Sequence, residues 1–174
     1  AIFTHTIDDN DNAVEAGRMG VLLDIQAAMR AFSDSASLQV MACTAVRSVV
    51  SKNYLNTAQA YQLGLLANVQ AAMRAHTGSM IVQEESCTVI SAFTFGGINR
   101  ADIVRLGLLA NVRAAMRLDL KALELQGKAC ETICNMYLDV DTKVDAEMLG
   151  ALADVRAAMR THRDSVELQL VACE

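Results

Sequence analysis

The sequence predicts an all-α fold built as an array of stacked helical units, and three observations predict it. A twelve-residue stretch from Leu106 to Arg117 recurs with small changes from Met19, Leu63 and Leu149. Each copy ends in Ala-Ala-Met-Arg, at Arg30, Arg74, Arg117 and Arg160, in steps of 44, 43 and 43 residues. A fixed period in this range is the signature of stacked supersecondary units that share one core. The composition agrees. The chain is 53% hydrophobic, has no proline and only 4% aromatic residues, which favours helices, because proline breaks a helix interior and sheets lean on aromatic and β-branched side chains. The apolar spacing is also helical. Leu22, Ile25 and Met29 lie three and four residues apart, and Leu66/Val69/Met73, Leu109/Val112/Met116 and Leu152/Val155/Met159 repeat the pattern.

Each unit is read from its glycine: Gly20, Gly64, Gly107 and Gly150. Eight residues earlier stand Asn12, Asn56, Asn99 and Thr142, all good N-cap types. A short first helix runs from there to the glycine, which permits a change of direction that a Cβ would obstruct. The second helix carries the apolar stripe on one face. Asp24, Asn68, Asn111 and Asp154, with Gln26, Gln70, Arg113 and Arg156, occupy the other. Turns follow at Ser33-Asp34-Ser35, Thr77-Gly78-Ser79 and Arg163-Asp164-Ser165. Leu118-Asp119-Leu120-Lys121 in the third unit lacks glycine and predicts a shifted junction. A third helix then carries Gln39 and Cys43, Gln83 and Cys87, Gln126 and Cys130, and Gln169 and Cys173.

These marks divide one domain into the end of a partial unit (1–9), three units (10–52, 53–97 and 98–140) and a truncated fourth (141–174). The chain begins and ends at the same phase, inside a third helix. The expectation is a segment of a longer array, or the ordered part of a larger protein.

Net charge is −5, with both signs interspersed and no basic run, so a nucleic-acid footprint is not expected. No apolar run approaches the roughly 20 residues that span a bilayer. Four cysteines stand one per unit and read as small buried residues, not disulfide partners. Free thiols point to a reducing compartment, cytoplasmic or nuclear. No Gly-rich phosphate loop or nucleophile motif is visible, so no catalytic, cofactor-binding or metal-binding residue is assigned and an enzyme is not expected.

The arginines of the recurring tetrapeptide form either a row of cations for an acidic partner or a set of helix-end residues favoured by the dipole. Cys130, Cys134, His76 and His162 have metal-ligand chemistry, but the two histidines stand in different, non-adjacent units, so structural cysteine is preferred. The Cys130/Cys134 pair, one helical turn apart, is a candidate for oxidation. The regular glutamines read as architecture.

The order short helix, glycine, long helix, turn and third helix opening Val82-Gln83-Glu84-Glu85-Ser86-Cys87 resembles the armadillo repeat, as does Ala72-Met73-Arg74-Ala75-His76 before it. HEAT repeats rank second. The resemblance spans the chain. It implies a right-handed α-solenoid with three helices per repeat, in which third helices line a concave groove that binds partner segments. It implies a protein-interaction scaffold or adaptor, and no cofactor. In the importin alpha branch, each third helix carries a Trp one residue and an Asn five residues after the Cys position. Here those positions are Thr44, Thr88, Glu131 and Glu174, then Ser48, Ala92 and Asn135. A carrier of basic peptides is therefore less favoured than a general scaffold. A structural subunit of a large assembly is the alternative.

Because the scaffold repeats, positions that vary on the groove face are free to choose a partner. They are Thr44, Arg47 and Ser48; Thr88, Ser91 and Ala92; and Glu131 and Asn135, with Thr4 and His5 from the partial unit.

Overall fold

The computed structural model describes residues 10–51, 53–95, 100–137 and 146–173. Among them the fold is all-α, with eleven helices and no strand. Unit 1 holds α1 (Asn10–Arg18), α2 (Val21–Ala31) and α3 (Ala36–Val50). Unit 2 holds α4 (Tyr54–Gln62), α5 (Leu65–Ala75) and α6 (Met80–Phe95). Unit 3 holds α7 (Arg100–Arg105), α8 (Leu108–Met116) and α9 (Leu123–Tyr137). Unit 4 holds α10 (Ala146–Thr161) and α11 (Val166–Cys173).

Gly20, Gly64 and Gly107 separate first from second helix, with φ of 78°, 77° and 71°. That left-handed backbone costs about 1–2 kcal/mol for a residue with a Cβ, which explains glycine there. Gly150 departs from the expectation. It lies inside α10, which runs through it unbroken. Its missing side chain serves space instead, because a Cβ there would run into the Arg113 guanidinium of the preceding unit.

The N-cap reading also needs correction at Asn56. The cap of α4 is Asn53, whose side chain accepts from the Asn56 backbone N–H at 3.0 Å. Asn56 is buried and ties two units together, donating from Nδ2 to the carbonyls of Ala13 (2.6 Å) and Val49 (2.9 Å). Gly17 leaves the room for it. Asn12 lies within α1. Asn99 and Thr142 fall outside the described residues.

The core is one continuous seam. α3 packs on α6, α6 on α9 and α9 on α11, while α2, α5 and α8 cover them. The apolar stripe is buried through three units at Leu22, Ile25 and Met29, Leu66, Val69 and Met73, and Leu109, Val112 and Met116. In unit 4 Val155 is buried but Leu152 is exposed. Cys43, Cys87 and Cys130 are buried, whereas Cys173 is exposed. The reason is the neighbour. Ser86 of α6 meets the Cys43 sulfur at 4.0 Å, and Thr132 of α9 donates to the Cys87 carbonyl at 2.9 Å. No further helix follows α11 among the described residues to do the same for Cys173. All five cysteines are free, and burial pushes the Cys43, Cys87 and Cys130 thiols up to about 12.

One contact repeats in all four units. Each recurring glutamine donates from Nε2 to two carbonyls at the end of its own unit's second helix. Gln39 reaches Met29 and Phe32, both at 3.0 Å. Gln83 reaches Met73 (2.9 Å) and His76 (3.0 Å). Gln126 reaches Met116 (2.6 Å) and Asp119 (3.0 Å), and Gln169 reaches Met159 (2.9 Å) and His162 (3.0 Å). The last carbonyls of a helix have no partner within it, and the long amide supplies one. The same contact ties the third helix to the end of the second. Ser35, Ser79 and Ser165 cap the third helices of their units. Unit 3 has no such serine, and α8 stops at Met116, with Asp119 bonding the Lys121 N–H at 2.8 Å instead.

Candidate functional site: a cavity on the third helices

The polar residues of the second helices go to junctions between units. Gln26 donates to the Leu63 carbonyl, and Gln70 donates to the Leu106 carbonyl (2.5 Å) and to Asn111 Oδ1 (3.0 Å). At the third junction Arg113 and Arg117 both meet Asp154, at 2.8 and 3.0 Å. The neutral Gln–Asn pairing is thus replaced by an ionic one. Arg117 spends its charge inside the array, while Arg74 and Arg160 are exposed. The histidines make junctions too. His76 Nε2 donates to the Ser33 carbonyl (2.8 Å), and His162 Nε2 to the Leu120 carbonyl (2.7 Å). Among the described residues no group of three His, Cys, Asp or Glu side chains gathers as metal ligands do.

The groove candidates divide into two sets. Ser48 and Asn135 are buried. Ser48 donates to the Thr44 carbonyl (2.9 Å), and Asn135 Nδ2 donates to Ser91 Oγ (2.8 Å). Asn135 thus faces α6, whereas Ser48 bonds within its own helix. Thr44 is half-buried, donating to the Val40 carbonyl and to Glu85, each at 3.1 Å. Thr4 and His5 lie outside the described residues.

Arg47, Thr88, Ser91, Ala92 and Glu131 come together. With Ser51, Asn53, Tyr54 and Phe95 they line an open cavity of about 540 Å³ across the C-terminal halves of α3 and α6 and the middle of α9. A volume of about 300–1,000 Å³ is usual for a binding pocket. Tyr54 and Phe95 were missed from the sequence, and both are strongly exposed, at 69% and 65%. Phe95 stands eight residues after Cys87, so two further helical turns along the groove face would have found it. Tyr54 opens the next unit, where the third-helix pattern gives no signal.

Comparisons with protein-family models, with curated proteins and with solved structures find no match.

The chemistry of the cavity is therefore what points to a ligand. Ser91 donates to Glu131 at 3.2 Å, and Lys128 stands 4.0 Å from the same carboxylate. Thr88 donates to the Glu84 carbonyl at 3.0 Å. Burial raises the Glu84 carboxyl, helped by Glu124 and Glu85 and opposed by Lys128. Of the two charged wall residues, the Arg47 side chain makes no hydrogen bond or ion pair among the described residues, and its Nε is shut away from solvent. The site can stack an apolar group on its aromatic rim and offer a cation beside it.

Proposed function

We propose that the chain is an armadillo-type array, a right-handed α-solenoid of three-helix repeats, that serves as a protein-interaction scaffold. It holds an extended segment of another protein along the surface of its third helices. The observation that carries this is the cavity itself. Five positions chosen because they break the repeat meet in one concavity, flanked by two exposed aromatic rings. Exposed aromatics beside an unpaired arginine are the composition of interaction hot spots. The thiols suit a reducing compartment, cytoplasmic or nuclear.

Phage display of random peptides tests the reading. The wild-type chain should enrich a set of related sequences, and Ala92→Trp, which fills the cavity from its half-buried wall, should lose them. No enrichment, or enrichment indifferent to Ala92→Trp, contradicts it.

A second reading has its own support. Leu152, Val166 and Leu170 are exposed on the last unit, as on a structural segment within a larger assembly. Sedimentation separates the two readings. A peptide-binding scaffold stays monomeric at micromolar concentration, and an assembly segment self-associates.

A further inference from the structure

We propose that the cavity selects acidic peptides: a carboxylate side chain of the bound segment seats on the Arg47 guanidinium while a neighbouring apolar side chain packs on Tyr54 and Phe95. This rests on the peptide-binding reading above and names what that site chooses.

The first argument is Arg47's isolation. Among the described residues only Arg47 Nε and Gln126 Oε1 are buried side-chain polar atoms without a partner. The other arginines and lysines with partners spend their charge within the chain, Arg113 and Arg117 on Asp154, Arg105 on Asp102 and Lys128 on Glu131. A buried N–H with no acceptor is costly. A guanidinium presents a planar fork that a carboxylate fills with two parallel hydrogen bonds.

The second argument is what else is near. Glu131 lines the same cavity but already accepts from Ser91 and faces Lys128. Glu85 accepts from Thr44. Neither acid is paired with Arg47, so a ligand is left to bring the anion. Glu131 also sets its charge. With that carboxylate in the same cavity, a doubly charged phosphate meets stronger repulsion than a singly charged carboxylate. The third argument is the rim. Tyr54 and Phe95 are exposed and line the same cavity as Arg47, which fits an apolar residue adjacent to the acid.

Immobilised nonapeptide sublibraries test this, each degenerate except for one central residue: Asp, Glu, Asn, Gln, phosphoserine or Lys. Retention is measured for the labelled wild-type chain, Arg47→Gln, Arg47→Lys and Ala92→Trp. The Asp and Glu sublibraries should retain the wild type at least five-fold better than the Asn and Gln ones. Arg47→Gln should erase that difference, Arg47→Lys should keep part of it, and Arg47→Gln should melt no lower than wild type. Equal retention of acids and amides overturns the proposal while leaving peptide binding intact. Strongest retention by phosphoserine overturns the choice of carboxylate. If no sublibrary retains wild type above Ala92→Trp, peptide binding fails and the proposal with it.

Discussion

Units 2 and 4 carry nearly the same second-helix sequence, from Leu65 to Arg74 and from Ala151 to Arg160, yet fold it differently. In unit 2 the glycine is a left-handed break, and Leu66 two residues on is 1% exposed. In unit 4 the helix runs straight through Gly150, and the matching Leu152 is 49% exposed. Cys87 is buried and Cys173 is exposed. Sequence alone does not assign these fates. The repeated residues are shaped to be buried, but the next unit does the burying. A glycine likewise can supply a backbone angle or simply a notch, according to whether a side chain such as Arg113 lies against it.

The largest test of that comparison is Leu66→Ala against Leu152→Ala. Emptying a closed core site costs about 2–5 kcal/mol, and Leu66→Ala should fall near the middle of that range by urea denaturation. Leu152→Ala should change stability by less than about 0.5 kcal/mol, as surface substitutions do.

The glutamine bridges come next. Gln83→Ala leaves the Met73 and His76 carbonyls without their side-chain donor and should cost roughly 2 kcal/mol, because stranding buried acceptors is expensive. Gln169→Ala, at a half-buried copy in unit 4, should cost less than half as much in the same denaturation series.

These bridges also show where sequence reading stops. Helices, period and core stripe were legible, because apolar residues at helical spacing have one way to be buried together. The glutamines were visible as regular, but which carbonyls they bridge depends on how two helices meet. Asn56 carried a capping side chain at a plausible offset, yet Asn53 took the cap and Asn56 the junction. The arginines and histidines are similar, since their partners lie 37 to 43 residues away. Of the cavity, the third-helix residues were readable as breaks in the repeat. Tyr54 was not, because its place depends on the packing of the next unit. Arg47's lack of a partner is a property of three-dimensional surroundings alone.

The glycine comparison predicts smaller effects. Gly64→Ala has open space around it and should cost about 1–2 kcal/mol from the backbone alone. Gly150→Ala gains about 1 kcal/mol of helix preference but pushes the Arg113 guanidinium off its seat, so the net change should be near zero. In an Arg113→Ala background the same substitution should stabilise by about 1 kcal/mol, and calorimetry of the double-mutant cycle measures the coupling.

The smallest effect is on α6, one turn before Thr88 of the cavity wall. Because the Glu84 carboxyl is raised in the fold, the folded chain holds that proton more tightly than the unfolded chain does. The charged form therefore costs stability at neutral pH, and the cost fades as pH falls through the carboxylate range. Glu84→Gln should stabilise at pH 7 by less than about 0.5 kcal/mol, since the site is partly solvated, and should have no such benefit at pH 3.

Thiol alkylation followed by mass spectrometry tests most directly the claim that each unit is buried by the next. In the folded chain at pH 8, Cys173 should react first and half-buried Cys134 more slowly. Cys43, Cys87 and Cys130, enclosed and held protonated by burial, should stay unmodified until the chain unfolds. Labelling of Cys43 or Cys87 at the rate of Cys173 would contradict the account.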